Sequence, residues 1–132
     1  AMTSGQGGSM GTLHANNPPD ALNRLETMAL MSKVELPLYA LRAQVSSAID
    51  IVVQMNRFVG GRRLVSHITE VDPLGEDGHY RMRELFGLET VDGEDSEKSM
   101  QLTWGGGRSS MAGHLKPNEL ASITELTQPL LG

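Results

Sequence analysis

The sequence predicts an α/β domain, and three observations predict it. Residues 18–31 repeat apolar side chains at helical spacing behind a strong helix start. Residues 50–57 turn to a β-branched run, Ile51-Val52-Val53. The pair Gly60-Gly61 then separates that run from a second apolar stretch over 62–71, which is the pattern of a hairpin. The predicted order is β-α-α-β-β-β, followed by a polar segment and a small C-terminal helix.

Each element has a local cause. Residues 9–14, Ser-Met-Gly-Thr-Leu-His, alternate loosely and read as a short buried strand. Asn17 is a good helix cap, Pro18 suits the first helical position, and Asp20 sits where the helix dipole favours an acid. Ala21, Leu25, Met28 and Ala29 then recur with Leu22 beside them, and Met28 and Met31 read as core fillers. Leu36-Pro37 is a break, and a second helix is predicted over 37–47 through Leu38, Leu41 and Val45. A third strand over 80–88 places Tyr80, Met82, Phe86 and Leu88 on one side. Residues 87–99 read as an acidic loop, 100–104 as a short strand, and Gly105-Gly106-Gly107 as a mobile link. Trp104 suits either a partner anchor or a pin for the tail. A helical pattern over 118–128 runs through Leu120, Ile123 and Leu126.

Composition narrows the function classes. The 132 residues include 39% hydrophobic side chains, below the usual 45–50%, and 15 glycines. No apolar run approaches the roughly 20 residues of a membrane span. With no cysteine there is neither a disulfide scaffold nor a thiol-ligated zinc site, which fits a reducing compartment. The net charge of -5 argues against a nucleic-acid coat. Much of it falls on Glu89, Asp92, Glu94, Asp95 and Glu97, before the next base at Lys98.

Ala1-Met2 looks like a cloning remnant, and no signal peptide follows. The glycine-rich stretch over 3–11 runs directly into the strand pattern, as expected of a piece cut from a longer protein. The expected division is 1–2 remnant, 3–88 folded portion, 89–99 acidic linker and 100–132 tail.

Few residues carry recognisable chemistry. Gly5, Gly7 and Gly8 lack the phosphate-loop spacing, no lysine precedes Lys33, and Met10 stands where a dinucleotide motif needs its third glycine. His14, His67, His79 and His114 have no metal-ligand spacing, so no metal site is expected. Ser46-Ser47 and Ser109-Ser110 lack a nucleophile-elbow context. Arg62 and Arg63 follow a glycine turn, where they meet a phosphate or form a solvated hairpin end. His14 ends a predicted strand, the position where α/β folds meet ligands, although a histidine there also serves to bond a turn.

Taken in order, Gly8-Ser9-Met10-Gly11-Thr12-Leu13-His14-Ala15-Asn16-Asn17-Pro18 and then Asp20-Ala21-Leu22-Asn23-Arg24-Leu25-Glu26 resemble the His-box region of the type II/IV secretion ATPases. The closest branch powers Tad/Flp (tight adherence) pilus assembly. Met28 to Met31, Leu36-Pro37-Leu38, Ala48-Ile49-Asp50 and His67-Ile68-Thr69-Glu70-Val71 stand in the same order, so the resemblance covers about residues 3–88. It implies the C-terminal part of a RecA-like P-loop ATPase core, beginning after Walker B. It also implies a homo-hexamer that uses ATP and Mg²⁺ and works on an inner-membrane platform protein. Such a protein is cytoplasmic, at the inner face of the bacterial membrane, with no nucleic-acid partner.

The resemblance makes His14 the His-box histidine, near the γ-phosphate. Thr12 is carried with it, on the same side of the expected strand, and Arg62 and Arg63 are further nucleotide-adjacent candidates. Gln6 stands where relatives commonly place a second histidine. Walker A is absent from these residues, so no hydrolysis and no tightly held cofactor is expected of them alone. The rival expectation is a non-catalytic interaction module, binding through residues 50–88 and the region of Trp104, with a structural His14.

Overall fold

The structure, a computed structural model, describes residues 8–32, 35–92 and 98–114. Two helices precede a four-stranded antiparallel sheet. Helix α1 covers Pro18–Met31, the residues predicted for it. Asn17 is extended, and its Oδ1 accepts the Asp20 N–H at 2.9 Å. That bond satisfies one of the donors that every helix start leaves unpaired. At the other end the Ser32 hydroxyl donates to the Ala29 carbonyl at 2.6 Å. Helix α2 covers Leu38–Ala48 and starts from Pro37, whose missing N–H costs nothing there.

Strands β1 (Ile51–Arg57), β2 (Arg63–Asp72), β3 (Arg81–Asp92) and β4 (Lys98–Trp104) pair in chain order as a meander. The β1–β2 connection is a tight turn over Val59–Gly61, with Gly60 at φ 83° and Gly61 at φ 80°. A side chain at either position would be strained by roughly 1–2 kcal/mol, so the glycine pair is what permits the hairpin. Two bulges interrupt the ladders: Ser66 is the extra residue in β2, and Leu85 in β3. The second shifts the alternation of β3. Leu85 is buried there, while Met82, Phe86 and Leu88 are only half-buried.

Four expectations need correction. Residues 9–14 form no strand and run without regular structure towards α1. A strand needs a neighbour for its N–H and C=O groups, and the described residues give this segment no ladder. The order among the described residues is therefore α-α-β-β-β-β. The expected linker over 89–99 is partly sheet, because β3 continues to Asp92 and β4 begins at Lys98. Its acids do not prevent pairing, since Glu89 stays exposed on the sheet. The three glycines after Trp104 are tethered: the Gly105 N–H donates to the Leu85 carbonyl at 2.8 Å, and Trp104 Nε1 donates to the Gly107 carbonyl at 2.9 Å. Met28 and Met31 are not core fillers, being 53% and 78% exposed. The helix expected over 118–128 lies outside the described residues.

Among the described residues the buried apolar set is small: Ala21, Leu22, Leu41, Val71 and Leu85. Polar contacts add to it between elements. Arg42 on α2 donates from Nε to Glu26 Oε2 on α1 at 2.9 Å, and from Nη1 to the Gly78 carbonyl at 3.1 Å. The Tyr80 hydroxyl donates to the same Glu26 oxygen at 3.2 Å. One carboxylate thus joins both helices to the β2–β3 connection. The Arg42 bonds, opposed by burial and helped by Tyr80, hold the Glu26 carboxyl below its usual range. Burial, then the negative Glu26 beside it, pushes the Tyr80 phenol up to about 12.

The sign of the linkage follows. A raised phenol stabilises the fold fully below its unfolded value of about 10, and that contribution is lost as pH rises through about 12. Urea midpoints measured across this alkaline window should therefore fall in the wild type. The fall should be shallower in Tyr80→Phe. Equal slopes would remove Tyr80 from the network's energetics.

Candidate functional site

His14 lies just ahead of α1, and two polar contacts fix the backbone on its C-terminal side. Gln54, buried on β1, donates from Nε2 to the Ala15 carbonyl at 3.0 Å and to Asn56 Oδ1 at 3.1 Å. Asn17 closes the loop by capping α1. The backbone beside His14 is therefore anchored while its imidazole remains exposed.

Two grooves meet at His14. One, of about 320 Å³, lies between residues 11–15 and β1, with Thr12, Leu22, Leu25, Val53 and Met55 among its lining. The other, of about 420 Å³, runs along α1 past Asp20, Arg24 and Thr27 to Met28 and Met31. Thr27 turns its hydroxyl back to the Asn23 carbonyl at 3.0 Å. Among the described residues, the ionisable groups lining this second groove are thus the His14 imidazole, the Arg24 guanidinium and the Asp20 carboxylate.

The structure brings Thr12 and His14 to one groove. Arg62 and Arg63 line neither groove. They follow the turn beyond the C-terminal end of β1, with Arg63 opposite Arg57 in the ladder, and both are exposed.

A nucleotide with Mg²⁺ needs a cradle of backbone amides, a lysine on the phosphates and oxygen ligands for the metal. Among the described residues, neither groove is lined by a lysine. Gly8 and Gly11 have open space around them, with no neighbour packed close enough to complete a cradle. The described residues of the two grooves offer no such cradle for ATP and Mg²⁺ by themselves. They bring one imidazole, one guanidinium and one carboxylate to the lining of a single groove.

A second polar cluster lies apart from His14. Glu70 on β2 is 2% exposed. Its carboxylate accepts the Ser109 hydroxyl at 3.1 Å, the Ser110 N–H at 3.0 and 3.1 Å, and the Ser110 hydroxyl at 2.6 Å. Arg83 donates to both oxygens of Asp72 at 2.9 Å and to the Arg108 carbonyl at 2.6 Å. Its Nη1 lies 3.7 Å from Glu70. Burial alone would raise the Glu70 carboxyl, but the bonds from Ser110, Ser109 and Met111 outweigh it and hold it below the usual range.

Sequence reasoning gave no role to Gln54, Arg24 or Glu70. The available signal was a polar residue inside a strand pattern: Gln54 after Ile51-Val52-Val53, and Glu70 between Thr69 and Val71. Arg24 gave no such signal, because its sharing a groove with His14 depends on how the loop meets the helix. No family model and no curated protein matches the chain.

Proposed function

We propose that these residues are the His-box portion of a hexameric ATPase that powers type II/IV secretion or Tad pilus assembly. They would be the C-terminal part of its RecA-like P-loop ATPase core. The observation that carries this reading is the anchored loop. The residues that resemble the His box hold an exposed imidazole in the groove that Arg24 also lines, on a backbone fixed by Gln54 and Asn17. Imidazole and guanidinium are donors suited to phosphate oxygens.

Under this proposal the Walker loops, ATP and Mg²⁺ belong to parts not among these 132 residues. His14 then couples nucleotide state to ring motion, and the ring acts on an inner-membrane platform protein from the cytoplasmic side. No described helix is long and apolar enough to cross a membrane.

The test is ATP hydrolysis by the polypeptide that joins Walker A to these residues. His14→Ala should abolish most of it. Normal hydrolysis in that variant, or a gene with no Walker A ahead of these residues, would defeat the reading. The 132-residue chain alone should show no tight binding when titrated calorimetrically with ATP and Mg²⁺. Tight binding would place a complete phosphate site on residues described above as insufficient.

A further inference from the structure

The β1–β2 hairpin carries a feature that the His14 site does not use. Between Asp50 and Glu70 the sequence has no Asp or Glu, but it has Arg57, Arg62, Arg63 and His67, in a chain of net charge -5. The three arginines flank the turn and are exposed. Among the described residues no ion pair engages them. At the apex Val59 is 101% exposed. Val53 and Met55, which share the Arg57 face of β1, line the groove beside His14 and are left out of this surface. The turn brings the Arg57 guanidinium back over itself, since a Cβ on Gly61 would stand 3.5 Å from Arg57 Nη2. The result is a convex tip with an apolar apex flanked by three cations, at the edge of the sheet.

We propose that this hairpin docks on an anionic lipid surface, with Val59 among the headgroups and Arg57, Arg62 and Arg63 on lipid phosphates. Guanidinium matches phosphate oxygens in pairs, and its charge is fixed at every physiological pH. A folded protein partner would need a cavity shaped to the convex tip. A lipid surface deforms around it and presents phosphate at high density. Each arginine near such a surface gains about fivefold in partitioning, so three give roughly a hundredfold preference for anionic over neutral lipid. The attraction is screened by salt. This inference stands independently of the ATPase reading.

The chain is sedimented with vesicles of phosphatidylcholine alone, or of phosphatidylcholine mixed with phosphatidylglycerol. The expected result is binding to the anionic vesicles at low salt, weak binding to the neutral ones, and loss at high salt. The variant Arg62→Gln with Arg63→Gln alters only exposed side chains, and circular dichroism verifies its fold. It should lose roughly 25-fold in partitioning. Val59→Ser should weaken binding while leaving its salt dependence unchanged. Equal sedimentation with both vesicle types overturns the proposal, as does a double variant that binds like the wild type. Displacement from the vesicles by ATP would assign the arginines to nucleotide phosphate and overturn it. So would capture by polyglutamate with no vesicle binding, which would place the tip on an acidic protein.

Discussion

Glu70→Ala is expected to destabilise the fold by about 2–4 kcal/mol, the range for removing the acceptor of a buried, charged hydrogen-bond cluster. The carboxylate is almost fully buried and takes its bonds from Ser109 and Ser110, in the segment that follows β4. Alanine would leave those donors without their acceptor and leave Arg83 with one carboxylate fewer beside it. Among the described residues, the remaining hold on that segment would be the Gly105 bond to Leu85, the Trp104 bond to Gly107 and the Arg83 bond to Arg108. Urea unfolding measures the loss, and amide exchange at Ser110 locates it. An unchanged midpoint would mean that the cluster contributes nothing net.

The acid limb gives an independent reading of the same cluster. Because the folded Glu70 carboxyl lies below its ordinary value, its contribution is complete above that value and is lost as pH falls through the folded one. Glu70→Gln keeps the side chain's shape without a titrating group. Its stability should therefore fall less steeply with acid than that of the wild type.

How legible the sequence was depended on whether each signal was local. Helix α1 was readable in full because its cap, its prolines and its first-turn acid lie within four residues of one another. The β1–β2 hairpin was readable because Gly60-Gly61 marks its turn chemically. Residues 9–14 have strand alternation, but alternation states only what a segment does when a neighbour is present. Residues 89–92 failed for the opposite reason: their charge suggested a linker, whereas backbone pairing with β4 places them in the sheet. Met28 and Met31 have helical spacing, yet the face they share lines the groove beside His14 instead of the core. The bulge at Leu85 and the clasp of Glu70 on Ser110 join residues from different parts of the chain, and no local pattern announces either.

His14→Ala is expected to lower kcat for ATP hydrolysis by roughly 10²–10³ in the ATPase proposed above, with KM little changed. That magnitude belongs to a donor aimed at charge that develops in the transition state; a group binding substrate and transition state alike would move KM instead. The anchored loop makes a second claim possible. Under the same proposal Gln54 would be the positioning residue, since its amide donates to the Ala15 carbonyl next to the histidine. Gln54→Ala should lower kcat about tenfold, because a donor displaced by even an ångström loses much of its effect. It should also cost about 1–3 kcal/mol of stability, since the Ala15 carbonyl loses its partner. A merely structural Gln54 would predict the second effect without the first. Added imidazole separates the two roles. It should restore part of the activity of His14→Ala, where the space beside Ala15 is vacated but still ordered. It should restore none to Gln54→Ala, where the histidine is present but no longer held in place. Rescue of both variants, or of neither, would detach Gln54 from the placement of His14 and leave it a support of β1 alone.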